Sequence, residues 1–221
     1  METKVIIMGG IGNGTVIAQA ILDANRRGFN DLKMAGYFDD RVPIGDDMEG
    51  FPCLATCTKE NVEKFAAQGY KFIYTMYIID GNEERIEKFN NLGLDASNLA
   101  TFVHPLAYVA PDVQIDPGVV IMPYAMISAA AHLSTGSIIM TGATVGHNTT
   151  LGPNNHIASQ AVVGAYIETG AGVHVGLNCC IREHVNIGAF SSVGMGAVLV
   201  KNVGEKEIWV GNPAKFLRNA K

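Results

Sequence analysis

From Val103 onward an aliphatic residue returns at every sixth position without a single insertion. The series is Val103, Val109, Ile115, Ile121, Ile127, Leu133, Ile139, Val145, Leu151, Ile157, Val163, Thr169, Val175, Ile181, Ile187, Val193 and Leu199, and only Thr169 is not aliphatic. Two places before each of these the residue is mostly Ala, Ser, Thr or Val, and Gly follows directly at 146, 152, 164, 170, 176, 188 and 194. A period of six means short strands joined by tight corners, the hexapeptide form of a parallel β-helix. The aliphatic fills the interior of each face and a small residue lets the corner close. Three hexads make one triangular coil. With adjacent strands ~4.8 Å apart, the prism is on the order of 25 Å long.

The first hundred residues follow a different rule. Lys4 to Met8 is a short aliphatic run, GGIGNG spans Gly9 to Gly14, and Thr15 to Arg26 carries Val16, Ile17, Ala20, Ile21 and Ala24 at helical spacing. Leu32 to Phe38 reads as a second strand ending in Asp39 and Asp40. Lys59 to Ala67 is expected to be helical, Lys71 to Ile79 a strand, and Asn82 to Asn91 a helix with Ile86 and Phe89 on one face. Strands alternating with helices predict a small parallel sheet. The chain therefore divides into residues 1–100, an α/β Rossmann-like unit, residues 101–200, the β-helix, and residues 201–221, a closing segment with the sequence WVGNPAKFLR.

A net charge of −5 argues against a surface built to neutralise nucleic-acid phosphates or to sit on anionic lipid. No apolar run approaches the ~18 residues a membrane span needs, and the segment after Met1 is too short for a signal-peptide core. The expected location is cytoplasmic. Cys53, Cys57, Cys179 and Cys180 form neither a disulfide framework nor a zinc site, and are expected to be buried free thiols.

A β-helix needs no histidine for its core, yet His147, His156 and His174 fall within the repeat. His156 lies nine residues after His147, and His174 eighteen after His156, which places those two on one edge a coil apart. A lone histidine is ordinarily a polar residue on an outer face. Two chemical readings stand beside that one. As a general base, His147 would take a proton from an amine or hydroxyl attacking a thioester. As metal ligands, three nitrogens would have to converge on one ion, which the spacing does not favour; no metal is assigned.

The Gly-rich turn between a strand and a helix is where backbone N–H groups meet a phosphate. A dinucleotide reading would make Asp39 or Asp40 the ribose-binding acid. The same geometry serves any nucleotide diphosphate, and about a hundred residues is small for a full dinucleotide site. Alternatively the glycines only allow close strand-to-helix packing.

The GGIGNG turn, His104-Pro105 opening the repeat, TGATVGHN at 141–148 and GNPA at Gly211 to Ala214 together resemble the sugar O-acyltransferase family, which includes sialic acid O-acetyltransferases and the bacterial nucleotide-4-amino-sugar N-acetyltransferases. The resemblance covers nearly the whole chain. It implies a homotrimer of left-handed β-helices with active sites between subunits, acetyl-CoA along the prism as cosubstrate, and a nucleotide sugar reaching in from the N-terminal unit. His147 falls on the family's catalytic base, with Asn148 beside it. His156, Gly164, Ala165 and His174 fall on the acetyl-CoA side, Ala165 offering its backbone N–H to the thioester oxygen. Gly10, Gly12, Asn13 and Gly14 fall near the nucleotide-sugar diphosphate, and Asp39 and Asp40 near the nucleoside.

The chain departs from the family at several of these positions. Family members place acidic residues beside the histidine, where Gly146 and Asn148 stand here. Met140 takes the place of a common Asn, and Asn13-Gly14-Thr15 that of a His-Gly-Lys, losing a basic contact. A segment resembling IGDN followed by Arg becomes Ile78 to Asn82 with Arg85. Two functions follow as expectations: an acetyltransferase acting on an amine or hydroxyl of a nucleotide-linked sugar, or a binding homologue that has lost efficient chemistry.

Overall fold

In the computed structural model, which describes residues 2–29, 31–76 and 80–220, all seventeen positions of the six-residue series are the second residues of two-residue strands, from Phe102–Val103 to Val198–Leu199. Neighbouring strand residues point to opposite sides, so the second residue of each pair turns inward and the first outward. Strands eighteen residues apart pair in parallel, as Thr144–Val145 does with Val162–Val163, and three such sheets form the walls of a β-helix. Ile121, Leu133, Ile139, Val145, Leu151 and Ile157 are fully buried in its core. Ala143, Ala161, Cys179 and Ala197, two places before the aliphatic, fill the space between them.

The corners are closed differently from the sequence expectation. From residue 118 to residue 196 every sixth residue has φ between 54° and 80°, and nine of these fourteen are not glycine. They lie three places after the inward aliphatic. Their backbone N–H groups donate to the coil before, as Asn148 does to the Ala129 carbonyl and Tyr166 to the His147 carbonyl. The glycine directly after the aliphatic serves coil spacing instead. A Cβ on Gly146 would lie 2.5 Å from the Gly164 carbonyl carbon and 2.6 Å from the Ala165 nitrogen.

In the N-terminal part, β1 (Thr3–Met8) leads into α1 (Asn13–Arg26), β2 (Leu32–Phe38), the hairpin of β3 (Asp47–Met48) and β4 (Phe51–Ala55), α2 (Lys59–Ala66), β5 (Lys71–Tyr74) and α3 (Asn82–Asn91). The sheet order is β3-β4-β2-β1-β5. It is parallel except for the β3–β4 hairpin, which the expected all-parallel sheet lacked. The strand expected over Lys71 to Ile79 ends at Tyr74; Ile78 and Ile79, with the start of the altered IGDN-like segment, lie outside the described residues.

The three outer faces of the β-helix have different characters. The first presents Val120, Ile138 and His156, and α1 covers it: Ile17, Ile21, Val120, Ile138, Met122 and Met140 share one buried cluster. Met140 thus acts as packing between the two parts. The second presents Tyr108, Met126, Thr144, Val162, Cys180 and Val198, of which Tyr108, Met126 and Val162 are exposed large hydrophobics. The third presents Gln114, His132, Thr150, Glu168 and Asn186 and is polar.

The closing segment forms an antiparallel pair, Glu207–Val210 with Lys215–Asn219, whose first strand pairs with Ser192–Val193. Lys206 and Arg218 in this segment pair with Glu83 and Asp80. All four cysteines are free, but only Cys53 and Cys179 are buried; Cys57 is half-buried and Cys180 exposed on the second face, contrary to expectation. Among the described residues no helix is long and apolar enough to cross a membrane.

Candidate active site

The Gly-rich turn forms one wall of a cavity of about 510 Å³, lined by Gly9, Gly10, Ile11, Gly12, Asn13, Asp39, Asp40, Arg41, Thr75, Met76 and Lys88. The turn stands at the C-terminal end of β1 and at the start of α1, where α1's first N–H groups have no helical partner. Gly12, at φ 120°, precedes the helix and takes a conformation L side chains rarely adopt. Five of the six residues expected at a nucleotide therefore surround one space. The sixth, Gly14, does not line it: it is buried, and a Cβ there would collide with the Gly9 carbonyl, so its role is close packing. Asp39 is also buried, accepting from the Arg41 N–H at 2.8 Å and from its guanidinium at 3.4 Å. Asp40 accepts from the Cys57 N–H at 2.8 Å. Arg41 and Lys88 place positive charge at a cavity whose turn carries none.

Asn13 joins this cavity to the β-helix. Its amide nitrogen lies 3.1 Å from Nε2 of His156. An amide NH₂ only donates, so Nε2 accepts and the neutral ring carries its proton on Nδ1. That nitrogen faces Nδ1 of His174 at 3.2 Å, with the two rings stacked 5.1 Å apart. The eighteen-residue spacing therefore brings these histidines together as expected. Burial holds the His156 imidazole well below its ordinary value, aided by His174 and Arg85; burial, then Arg85, brings His174 down to about 4. Arg85 itself is buried and donates to the Asn154 carbonyl at 2.7 Å, while Asn82 donates to the Ser192 hydroxyl at 3.1 Å, which docks the start of α3 against the β-helix.

His147 occupies a corner between the second and third faces. It is exposed, its Nδ1 lies 2.9 Å from Oδ1 of Asn148, and its ring stands at 84° to that of Tyr166 with centroids 5.0 Å apart. The amide oxygen accepts from Nδ1–H, which leaves the lone pair on Nε2. Asn148 has φ 56°, a left-handed conformation that Asn tolerates better than most residues. Ala165 sits one coil beyond, and among the described residues its N–H donates to no protein group, while the Gly164 N–H is taken by the Ile181 carbonyl. His147 is not part of the cavity lining. Within one chain the expected site residues thus fall into two groups, one around the cavity with His156 and His174, the other at the His147 corner.

No sequence-family profile matches the chain. Among solved structures it is similar to the acetyltransferase domain of PglB from Neisseria gonorrhoeae in complex with acetyl coenzyme A, at 27% identity over 98% of this chain and 100% of that one, with a TM-score of 0.82. It has the architecture of the hexapeptide-repeat sugar acetyltransferases. PerB from Caulobacter crescentus, in complex with CoA and GDP-perosamine, shares that fold at 24% identity over 97% of each chain, with a TM-score of 0.80. WeeI from Acinetobacter baumannii does so at 21% identity over 97% of this chain and all of that one, with a TM-score of 0.78. The β-helix is left-handed, as in these structures.

In this acetyltransferase architecture four further residues lie near the two groups without belonging to any motif of the sequence. Arg41 and Lys88 reach the cavity from segments without a recognisable motif. Tyr166 and His184 follow Asn148 at intervals of eighteen, a spacing that puts them in one corner column and is the signal that could have found them. Their rings stack 4.8 Å apart at an interplanar angle of 3°.

Proposed function

We propose that this protein is an acetyl-CoA-dependent acetyltransferase that acetylates an amine or hydroxyl of a nucleotide-linked sugar. The observation that carries the reading is the His147 corner: Nδ1 held by Asn148 at 2.9 Å, Nε2 left as a proton acceptor, and the N–H of Ala165 unengaged one coil away. Nε2 takes the acceptor's proton as its nitrogen or oxygen bonds to the acetyl carbon; the CoA thiolate leaves and recovers the proton from His147. The Ala165 N–H stabilises the thioester oxygen as negative charge develops on it. His156, His174 and Gly164 belong to the acetyl-CoA side. Gly10, Gly12 and Asn13 hold the sugar diphosphate, with Asp39 and Asp40 toward the nucleoside. On this reading residues 1–100 bind the nucleotide sugar, 101–200 carry the transfer, and 201–221 close the β-helix.

The reading includes a homotrimer with sites between subunits, and the outer faces support it. The first face is covered and the third is polar, which leaves the second, with Tyr108, Met126 and Val162, as an exposed apolar strip. Strips of this kind mark association surfaces. His147 borders that strip, so a neighbour seated there brings its own surface to the base. The PglB domain was solved with acetyl coenzyme A and PerB with a nucleotide sugar, which agrees with both substrate classes.

A second reading, a nucleotide-sugar or CoA-binding protein without efficient transfer, draws on Asn148, which orients the imidazole but supplies no charge for its protonated form. The two are separated by thiol release from acetyl-CoA across a panel of nucleotide-linked amino sugars and CMP-sialic acid, with calorimetry on the same ligands. Release with one acceptor supports the transferase; binding without release with any acceptor supports the second reading.

A further inference from the structure

We propose that Tyr166, seated on His184, is a positioning residue for His147 and completes the orientation that Asn148 provides at one ring nitrogen only. The inference rests on the reading of His147 as the base.

A single hydrogen bond at Nδ1 holds an exposed imidazole weakly: a ring that pivots about its side-chain torsions breaks that bond and loses the tautomer it sets. The ring of Tyr166 meets His147 at 84° and 5.0 Å, within the range of an edge-to-face aromatic pair. Such a pair limits the pivot only if the tyrosine is itself held. Two contacts hold it: the Tyr166 N–H donates to the His147 carbonyl at 3.0 Å, and His184 stacks on its ring at 4.8 Å with the planes 3° apart. His184 is anchored in the same way, its N–H donating to the Ala165 carbonyl at 3.1 Å.

The corner conformation does not by itself single out Tyr166: its φ of 55° is shared by the whole set of corners, and Tyr124 holds one at 61° while more exposed. What singles out Tyr166 is that its ring meets both His147 and His184. The role suits the departure found here. Where a carboxylate would both hold and charge-balance the histidine, this chain has a neutral amide and an aromatic neighbour, which hold the ring without supplying a charge.

The test uses the full-length protein labelled with ¹⁵N-histidine. Long-range ¹H–¹⁵N spectra read the tautomer of His147, steady-state kinetics give kcat and KM, and sedimentation gives the assembly state. Tyr166→Phe is expected to keep a single Nδ1–H tautomer and the parent kcat. Tyr166→Leu is expected to give mixed tautomers and a kcat lower by about tenfold with KM for both substrates unchanged. His184→Ala, which removes the platform and leaves Tyr166 in place, should move both readouts in the same direction by less, and decides the matter if Tyr166→Leu does not fold. An unchanged tautomer in Tyr166→Leu and His184→Ala overturns the proposal, as does equal loss in Tyr166→Phe and Tyr166→Leu or dissociation of the assembly. Absence of turnover in the parent protein counts against the acetyltransferase reading, while the tautomer spectra still decide the role of Tyr166.

Discussion

The side chains of Asn13 and His156, 143 positions apart in the chain, meet at 3.1 Å and tie the Gly-rich turn to the first face of the β-helix. Removing the amide takes a donor from a buried ring nitrogen, which costs about 1–3 kcal/mol. Asn13→Leu is therefore expected to lower the urea midpoint by a corresponding amount without changing the slope. An unchanged midpoint would show that the contact contributes nothing to docking.

His174 and its partner make stability depend on pH in a defined window. An unfolded histidine titrates near ~6.5, and His174 in the fold at about 4. Between those values the unfolded chain binds more protons, so stability is full above the higher value and falls as pH drops toward the lower one. The His174 contribution alone is on the order of 3 kcal/mol. Urea titrations from pH 7.5 to 4.5 should show this loss, and His174→Asn should flatten the curve over that interval.

Gly146 lies against the next coil where no side chain fits. Gly146→Ala puts a Cβ within 2.5 Å of the Gly164 carbonyl carbon, and overpacking of backbone on backbone typically costs about 1–3 kcal/mol. Thermal unfolding should register the change, while Gly196→Ala, where a Cβ meets open space but φ is 66°, should lose only the smaller cost of the left-handed conformation.

The apolar strip gives a separate expectation. Met126→Glu or Val162→Lys should disperse the assembly in sedimentation velocity, whereas Thr150→Lys on the polar face should leave it intact. Equal behaviour of the three variants would count against association through the second face.

Asn148 offers a gain of function. Asp is close to Asn in shape and tolerates φ near 56°, so Asn148→Asp places a carboxylate where the amide oxygen now accepts from Nδ1. The expected outcome is a kcat higher by about tenfold, which corresponds to about 1.4 kcal/mol of added stabilisation of the protonated ring. A fall to the level of Asn148→Ala would remove charge balance from the account of this site.

The β-helix was legible in advance because its rule is local and repeated: each inward residue recurs at a fixed interval, so Val103 to Leu199 could be placed one by one. The αL corner escaped notice because residues as different as Gly, Asn, Tyr and Phe occupy it, and backbone geometry rather than residue type unites them. The β3–β4 hairpin is short, and Pro52 interrupts its pattern. The Asn13–His156 contact and the Arg41 and Lys88 cavity wall depend on how distant segments dock, which no local period records. Conversely, the pairing of His156 with His174 and the shared corner of His147 and Ala165 followed directly from the eighteen-residue coil.

The most direct test of the central claim is thiol release from acetyl-CoA by parent protein and His147→Ala, compared at saturating acceptor with both preparations in the same assembly state. The account predicts turnover in the parent and a loss of at least about a hundredfold in the variant. Equal rates in the two would contradict it and remove His147 from the chemistry.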